Sequence, residues 1–179
     1  NRSIRFQQMI HKLDKVSYAD FKRMKYDVKL PDSLYYRIDV NIFFRMDSDK
    51  YPSLKNYITG LKQWDRTANK DSYGATLFKA VYNVIVRQKY TSINPENAVL
   101  IIAEAQKKLI KNFGTIRIRL GSYQVHQRGK VELPVEGLPD VIAATHTKPY
   151  KNKERIYNGE SHIMLIQFDK NGPLIETIN

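Results

Sequence analysis

The chain has 179 residues, 42% hydrophobic and 27% charged, which is enough apolar material for one packed domain and too much for a disordered chain. It contains no cysteine, which excludes disulfides, thiolate chemistry and zinc ribbons, and no apolar run approaches the roughly 20 residues of a membrane-spanning helix. The net charge of +12 comes from 30 basic residues spread along the whole length; without a Lys/Arg block, an RNP-like strand, a zinc finger or a basic zipper, it describes a basic solvated surface and no specific nucleic-acid reader.

In chain order, Ile4, Met9, Ile10 and Leu13 predict a first helix. Ser17-Tyr-Ala-Asp20 has the form of a capping box and opens a second, with Pro31 as its breaker. Leu34, Ile38 and Ile42 recur at i, i+4 and i+8, predicting a third helix that ends near Met46. Leu54, Ile58 and Leu61 predict a fourth, closing at Trp64, and Leu77, Val81, Val84 and Ile85 share a face of a fifth over residues 76–87. Asn94-Pro95-Glu96 supplies a capping side chain, a proline that needs no N–H and an acid at the positive helix end; the helix it opens is predicted to run to about Asn112 and to stop at Gly114.

Beyond Gly114 the period changes. Thr115-Ile-Arg-Ile-Arg-Leu120 alternates apolar with basic, the pattern of a half-buried strand. Gly121, Gly129, Pro134, Gly137 and Pro139 predict a long irregular region. Two apolar runs, 162–168 and 174–178, flank Asp169-Lys-Asn-Gly172-Pro173, a hairpin signal. The expected class is α+β: a mainly helical first two-thirds, 1–113, followed by strands and a C-terminal hairpin, 114–179.

The polar clusters mostly read as structure. Asp71-Ser72 before a helical run caps it, and Gly74 permits close contact in the first turn, so the stretch from Trp64-Asp65 to Phe78 is a handover between helices. Gly159-Glu-Ser161-His162 resembles a nucleophile elbow but lacks the closing glycine and precedes a strand where the elbow follows one. His11, His126, His146 and His162 show no metal-ligand spacing, and Asp47-Ser-Asp49 lacks the glycine and final glutamate of a calcium loop.

Three ordered segments carry a resemblance. Trp64-Asp65 with Asp71-Ser-Tyr-Gly-Ala-Thr-Leu-Phe78 is similar to a "WD … DS-x-GA-x-LF" segment of the penicillin acylase family. Gly121-Ser-Tyr-Gln-Val-His-Gln-Arg-Gly129, Val131-Glu-Leu-Pro134 and Gly137-Leu-Pro-Asp-Val141 resemble its "RG-x-x-x-LP … G-x-PDV" loop, and Gly159-Glu-Ser161 resembles the following "G-(D/E)-S" strand. The acyl-homoserine lactone acylase branch is the nearest in pattern.

The resemblance implies an N-terminal-nucleophile hydrolase with an αββα sandwich. Such an enzyme is exported to the periplasm or medium as a precursor that cuts itself into a small and a large chain. An N-terminal serine, with its own α-amine as base, would attack the amide of a small N-acylated molecule, such as a β-lactam antibiotic nucleus or a quorum-sensing homoserine lactone. Residue 1 here is Asn, which cannot be that nucleophile, and the family's oxyanion asparagine and its later histidine loop find no match. The expected identity is therefore a C-terminal part of the large chain, inactive alone. Its partners would be the rest of its precursor and an amide substrate, with no membrane, no specific nucleic acid, and a tendency to self-associate. No cofactor is implied; a structural calcium would be held by residues elsewhere. Arg2, at a start resembling the family's "R-x-x-x-I" helix, is the candidate supporting arginine, with Arg5 as the alternative. The competing expectation is a basic nucleic-acid-binding or structural interaction module.

Overall fold

The computed structural model describes residues 1–160 and 162–178. Its order is α+β, as predicted. Helices α1 (Arg2–Ile10), α2 (Tyr18–Lys25), α3 (Ile42–Arg45), α4 (Lys55–Lys62), α5 (Tyr73–Gln88), α6 (Pro95–Phe113) and α7 (Leu120–Tyr123) precede six strands. These are β1 (Gln124–Arg128), β2 (Val131–Pro134), β3 (Thr145–Tyr150), β4 (Lys153–Gly159), β5 (Ile163–Asp169) and β6 (Gly172–Ile178).

The long helices begin and end where side-chain chemistry dictates. Ser17 accepts from the Asp20 N–H while Asp20 accepts from the Ser17 N–H, a complete capping box for α2. Ser72 accepts from the Ala75 N–H and opens α5, and Asn94 accepts from the Asn97 N–H to open α6, with Pro95 at the first helical position. Gly114, in the left-handed conformation, closes α6.

The core sits between α4, α5 and α6. Tyr57, Ile58 and Leu61 from α4, Val81 and Val84 from α5, and Ile101, Ile102 and Leu109 from α6 are all excluded from water. Tyr57 is wholly buried and donates its hydroxyl proton to the Leu77 carbonyl at 2.7 Å, so the α4–α5 contact is hydrogen-bonded as well as apolar. The Trp64 and Phe78 rings stack 5.4 Å apart, and Phe44 follows at 5.8 Å from Phe78. Arg66 lays its guanidinium 3.2 Å from the Phe44 ring centre; burial pushes its pKa down to about 10.

Two predicted elements are corrected. The third helix is only the single turn α3, because Asn41 uses its amide to hold the Leu34 backbone. Its Oδ1 accepts from the Leu34 N–H at 2.8 Å and its Nδ2 donates to the Leu34 carbonyl at 2.7 Å. That pins 34–41 as a loop; of the residues whose spacing predicted the helix, Leu34 is buried and Ile38 and Ile42 are partly buried. Residues 115–119 form no strand either. The Ile118 N–H bonds back to the Ile116 carbonyl, a tight turn incompatible with a flat ladder, and Leu120 and Gly121 donate instead to the carbonyls of Ser72 and Lys70. The alternation still reports burial: Ile116 and Ile118 turn inward, Arg117 and Arg119 outward.

The region expected to be irregular holds a four-stranded sheet in the order β2-β1-β4-β3. Its two antiparallel hairpins are joined by parallel pairing of β1 with β4, Gln124 opposite Glu154. Pro134 and Pro149 lie on its edge strands, where no ladder hydrogen bond is lost. The final hairpin β5–β6 turns between Asp169 and Gly172 as predicted, with the Asn171 N–H donating to Asp169.

Gly74 fixes how α5 meets the end of α4. A methyl group there would stand 2.4 Å from Cβ and Cγ of Trp64, too close for any carbon pair. Gly74→Ala is therefore expected to cost about 1–3 kcal/mol of stability by overpacking, despite a helix propensity that favours alanine by about 1 kcal/mol. Chemical denaturation reads the difference; a variant at least as stable as the wild type would mean that α5 can retreat from Trp64.

Candidate functional site

No residue of α1 is fully buried, Ile4, Met9 and Ile10 being partly covered, and its directed contacts are polar. Arg5 donates through Nε and Nη2 to the two oxygens of Asp27, both at 2.8 Å, in a largely desolvated bidentate pair. The hydrogen bond to Asp27 raises the Arg5 pKa further, against the effect of burial. Asp27 is a node: its carboxylate also accepts from the Lys29 N–H, and its carbonyl from the Ala143 N–H.

Three residues earlier, Arg2 is half exposed and meets one charge, Asp140, at 3.7 Å from its Nε. Asn1 turns its side chain to the same carboxylate, donating from Nδ2 to Asp140. The same amide pairs with the backbone of Tyr35, accepting from its N–H at 2.8 Å and donating to its carbonyl at 3.2 Å. The Gly137-Leu-Pro-Asp-Val141 motif, which has no role by itself, is thus brought to the candidate arginine.

Asp140 is presented by a rigid turn. Leu138 and Val141 on either side are both 1% exposed. Gly137 donates to the Ala68 carbonyl at 2.8 Å, and its own carbonyl accepts from Gln124 at 2.8 Å. Asp140 itself has a left-handed backbone, φ 71°.

Behind this pair lies a row of ionisable groups. Tyr36 and Tyr82 face each other with ring centres 6.0 Å apart; burial, with the Asp140 charge adding, raises both hydroxyl pKa values. The Tyr36 hydroxyl has no hydrogen-bond partner among the described residues. His146 is pushed towards its neutral form by burial and by the nearby charges of Lys79 and Arg2. Lys79, on α5, is 2% exposed, and burial pushes its pKa down to about 8 against the pull of Glu154. Glu154 is itself held by Arg87 and by the Thr147 hydroxyl.

The other sequence candidates serve structure. Ser72 and Asp71 make no nucleophile–base arrangement: Ser72 caps α5 and Asp71 faces Arg119 at 3.5 Å. Asp47 caps a 3₁₀ turn. Ser161 lies outside the described residues. Among those described, no group of three or more His, Asp or Glu side chains is placed to hold a metal ion, and no helix is long and apolar enough to cross a membrane. An open cleft of roughly 720 Å³ lies between α4, the start of α5 and residues 115–117, lined by Gln63, Tyr73 and Arg117 among others. It shares no lining residue with the Arg2 cluster.

Compared with known families, the chain matches Penicillin amidase from residue 1 to residue 179. The chain belongs to the penicillin amidase family. No curated protein matches it in direct sequence comparison. Membership of the penicillin amidase family points to an acylase-like hydrolase, and it gives the two arginines of α1 their interest: the structure commits Arg5 to Asp27 and leaves Arg2 half open to solvent.

Lys79 yields a test of the electrostatics behind the site. The folded protein releases this proton at about pH 8, whereas an unfolded chain holds it to 10.5. Between those values the unfolded state binds more protons, so stability rises with pH; below about pH 8 the whole penalty, on the order of 3 kcal/mol, is present. Lys79→Met is expected to be more stable than wild type at pH 7 and to lose that advantage by pH 10.5. An advantage that does not change with pH would refute the burial argument.

Proposed function

We propose that this chain is a portion of the large chain of a penicillin-amidase-type N-terminal-nucleophile hydrolase, forming part of the wall of its acyl pocket. In the whole enzyme, an N-terminal serine on other polypeptide of the same precursor attacks the amide carbonyl, with its own α-amine taking the proton. Backbone and asparagine donors hold the oxyanion, the amine leaves, and water releases the acid from the acyl-serine. The substrate class is the N-acylated small molecule, β-lactam nucleus or homoserine lactone, and the setting is the periplasm or the medium. This chain carries no nucleophile in that scheme and does not hydrolyse amides alone.

Arg2 is the supporting arginine, ordering the oxyanion asparagine and the bound acyl group. The observation that carries this reading is the division of labour on α1. The Arg5 guanidinium makes two hydrogen bonds to Asp27, whereas Arg2 is 52% exposed and its Nε stands 3.7 Å from Asp140. The half-exposed Arg2 guanidinium is then accessible to a group outside this chain.

The β5–β6 ribbon supports the sandwich. Met164, Ile166 and Phe168 lie opposite Thr177, Ile175 and Pro173, so all six share one face, and Phe168 is 78% exposed. Leu165 on the other face is buried, and its cross-strand neighbour Glu176 is held by Tyr18 and Lys22 of α2. A two-stranded ribbon with one apolar face open is marginal in water and needs cover. The rest of the precursor supplies that cover here, and self-association replaces it when the chain is alone.

The test uses the full-length protein against a panel of N-acyl amides. Arg2→Ala is expected to lower kcat/KM by about a hundredfold, as misplacement of the groups it orders does, while Arg5→Ala chiefly lowers the melting temperature. Unchanged turnover in Arg2→Ala would remove Arg2 from the mechanism, and activity surviving replacement of the processing-site serine would remove the mechanism itself.

A further inference from the structure

We propose that Asp140 is a positioning residue for Arg2, and that the Gly137–Val141 turn exists to deliver it. This rests on the reading of Arg2 given above. With no residue of α1 fully buried, packing constrains its first turn only weakly, and polar contacts add to it. The Arg5–Asp27 pair fixes α1 one turn further along, and one carboxylate serves the helix start: Asp140 Oδ1 faces Arg2 Nε while Oδ2 accepts from the Asn1 amide.

The geometry suits positioning and not neutralisation. The carboxylate stands 3.7 Å from Nε, close enough to draw the guanidinium to one side while the side chain stays half exposed. The carboxylate is not free to follow the arginine, because Leu138 and Val141 bury the turn on both sides and Asn1 ties the carboxylate to the Tyr35 backbone. Its backbone adopts a conformation, φ 71°, that aspartate tolerates better than most residues. Asp140 is the carboxylate that meets Arg2, and it supplies the attraction that holds Arg2 in this corner.

A double-mutant cycle in the full-length enzyme tests this. Asp140→Asn retains the shape and an acceptor for Asn1 but loses the charge. It is expected to lower kcat about tenfold, with KM and melting temperature nearly unchanged, and Asp140→Glu to recover part of the loss. In an Arg2→Ala background the same change should alter kcat/KM less than about twofold, because its effect passes through Arg2. Losses that multiply, or a fall in kcat matched by a fall in melting temperature with no recovery by glutamate, would overturn the proposal. If Arg2→Ala alone is silent, the functional reading of Arg2 fails. Crystal structures of the variants still decide the positioning claim: Arg2 spread over several rotamers in Asp140→Asn supports it, and a single wild-type rotamer refutes it.

Discussion

The absence of a side chain at residue 74 is the constraint on which most of this structure depends. Gly74 lets the first turn of α5 lie against Trp64, so the connection 63–72 folds back on α4 and α5 reaches the centre of the molecule. From there α5 packs on α4 and α6 and carries Asn83 to the Tyr123 hydroxyl and Arg87 to Glu154. The loop making the reversal is over-determined: Trp64 donates to the Thr67 carbonyl, Asp65 accepts from the Thr67 N–H, and residues 70 and 72 offer their carbonyls to α7. What looks in one dimension like a catalytic cluster of Asp, Ser and Gly is a joint: Asp65 and Ser72 satisfy backbone N–H groups, and Asp71 faces Arg119.

Two different kinds of force hold the molecule together, and they divide along the line between scaffold and candidate site. The α4–α5–α6 core is apolar and close-packed, so its geometry is set by volume. Helix α1 is tied by the Arg5–Asp27 pair and by the contacts of Asn1 and Arg2 with Asp140, a carboxylate that a buried turn presents. Such contacts add little net stability, because each ion gives up water to form them, but they fix orientation closely. That is the property a guanidinium serving a reaction needs, and it is lacking in a helix held only by apolar contact.

The helical scaffold was legible because its signals are local. Ser17 with Asp20, Ser72, and Asn94 with Pro95 each specify a helix start within three or four residues, and the structure uses every one. The four-stranded sheet was illegible for a related reason. Its strands carry residues such as Glu132, Lys148, Lys153 and Arg155, with Lys153 donating to Glu132 and Arg155 to Gln127, so polar cross-strand pairs replace the apolar alternation that announces a strand. Over 115–120 the alternation was real and the burial followed it, but no neighbouring strand was there to pair; pattern reports faces, not partners. Arg2 is singled out only by likeness to a family. Its link to Asp140 joins residues at opposite ends of the chain, and no spacing rule reaches that far.

Gly137 and Asp140 show how finely the turn beside Arg2 is specified. Both take left-handed backbone angles, φ 92° and 71°, within four residues. At 137 a Cβ would stand 2.7 Å from the Ala143 carbonyl oxygen, so only glycine fits. At 140 glycine would relieve the backbone equally well, and the chain instead carries a side chain there whose left-handed conformation costs more than glycine's. A turn built for shape alone would use glycine at both positions. Asp140 carries a carboxylate that meets Asn1 and Arg2, and that contact is the return on the added strain.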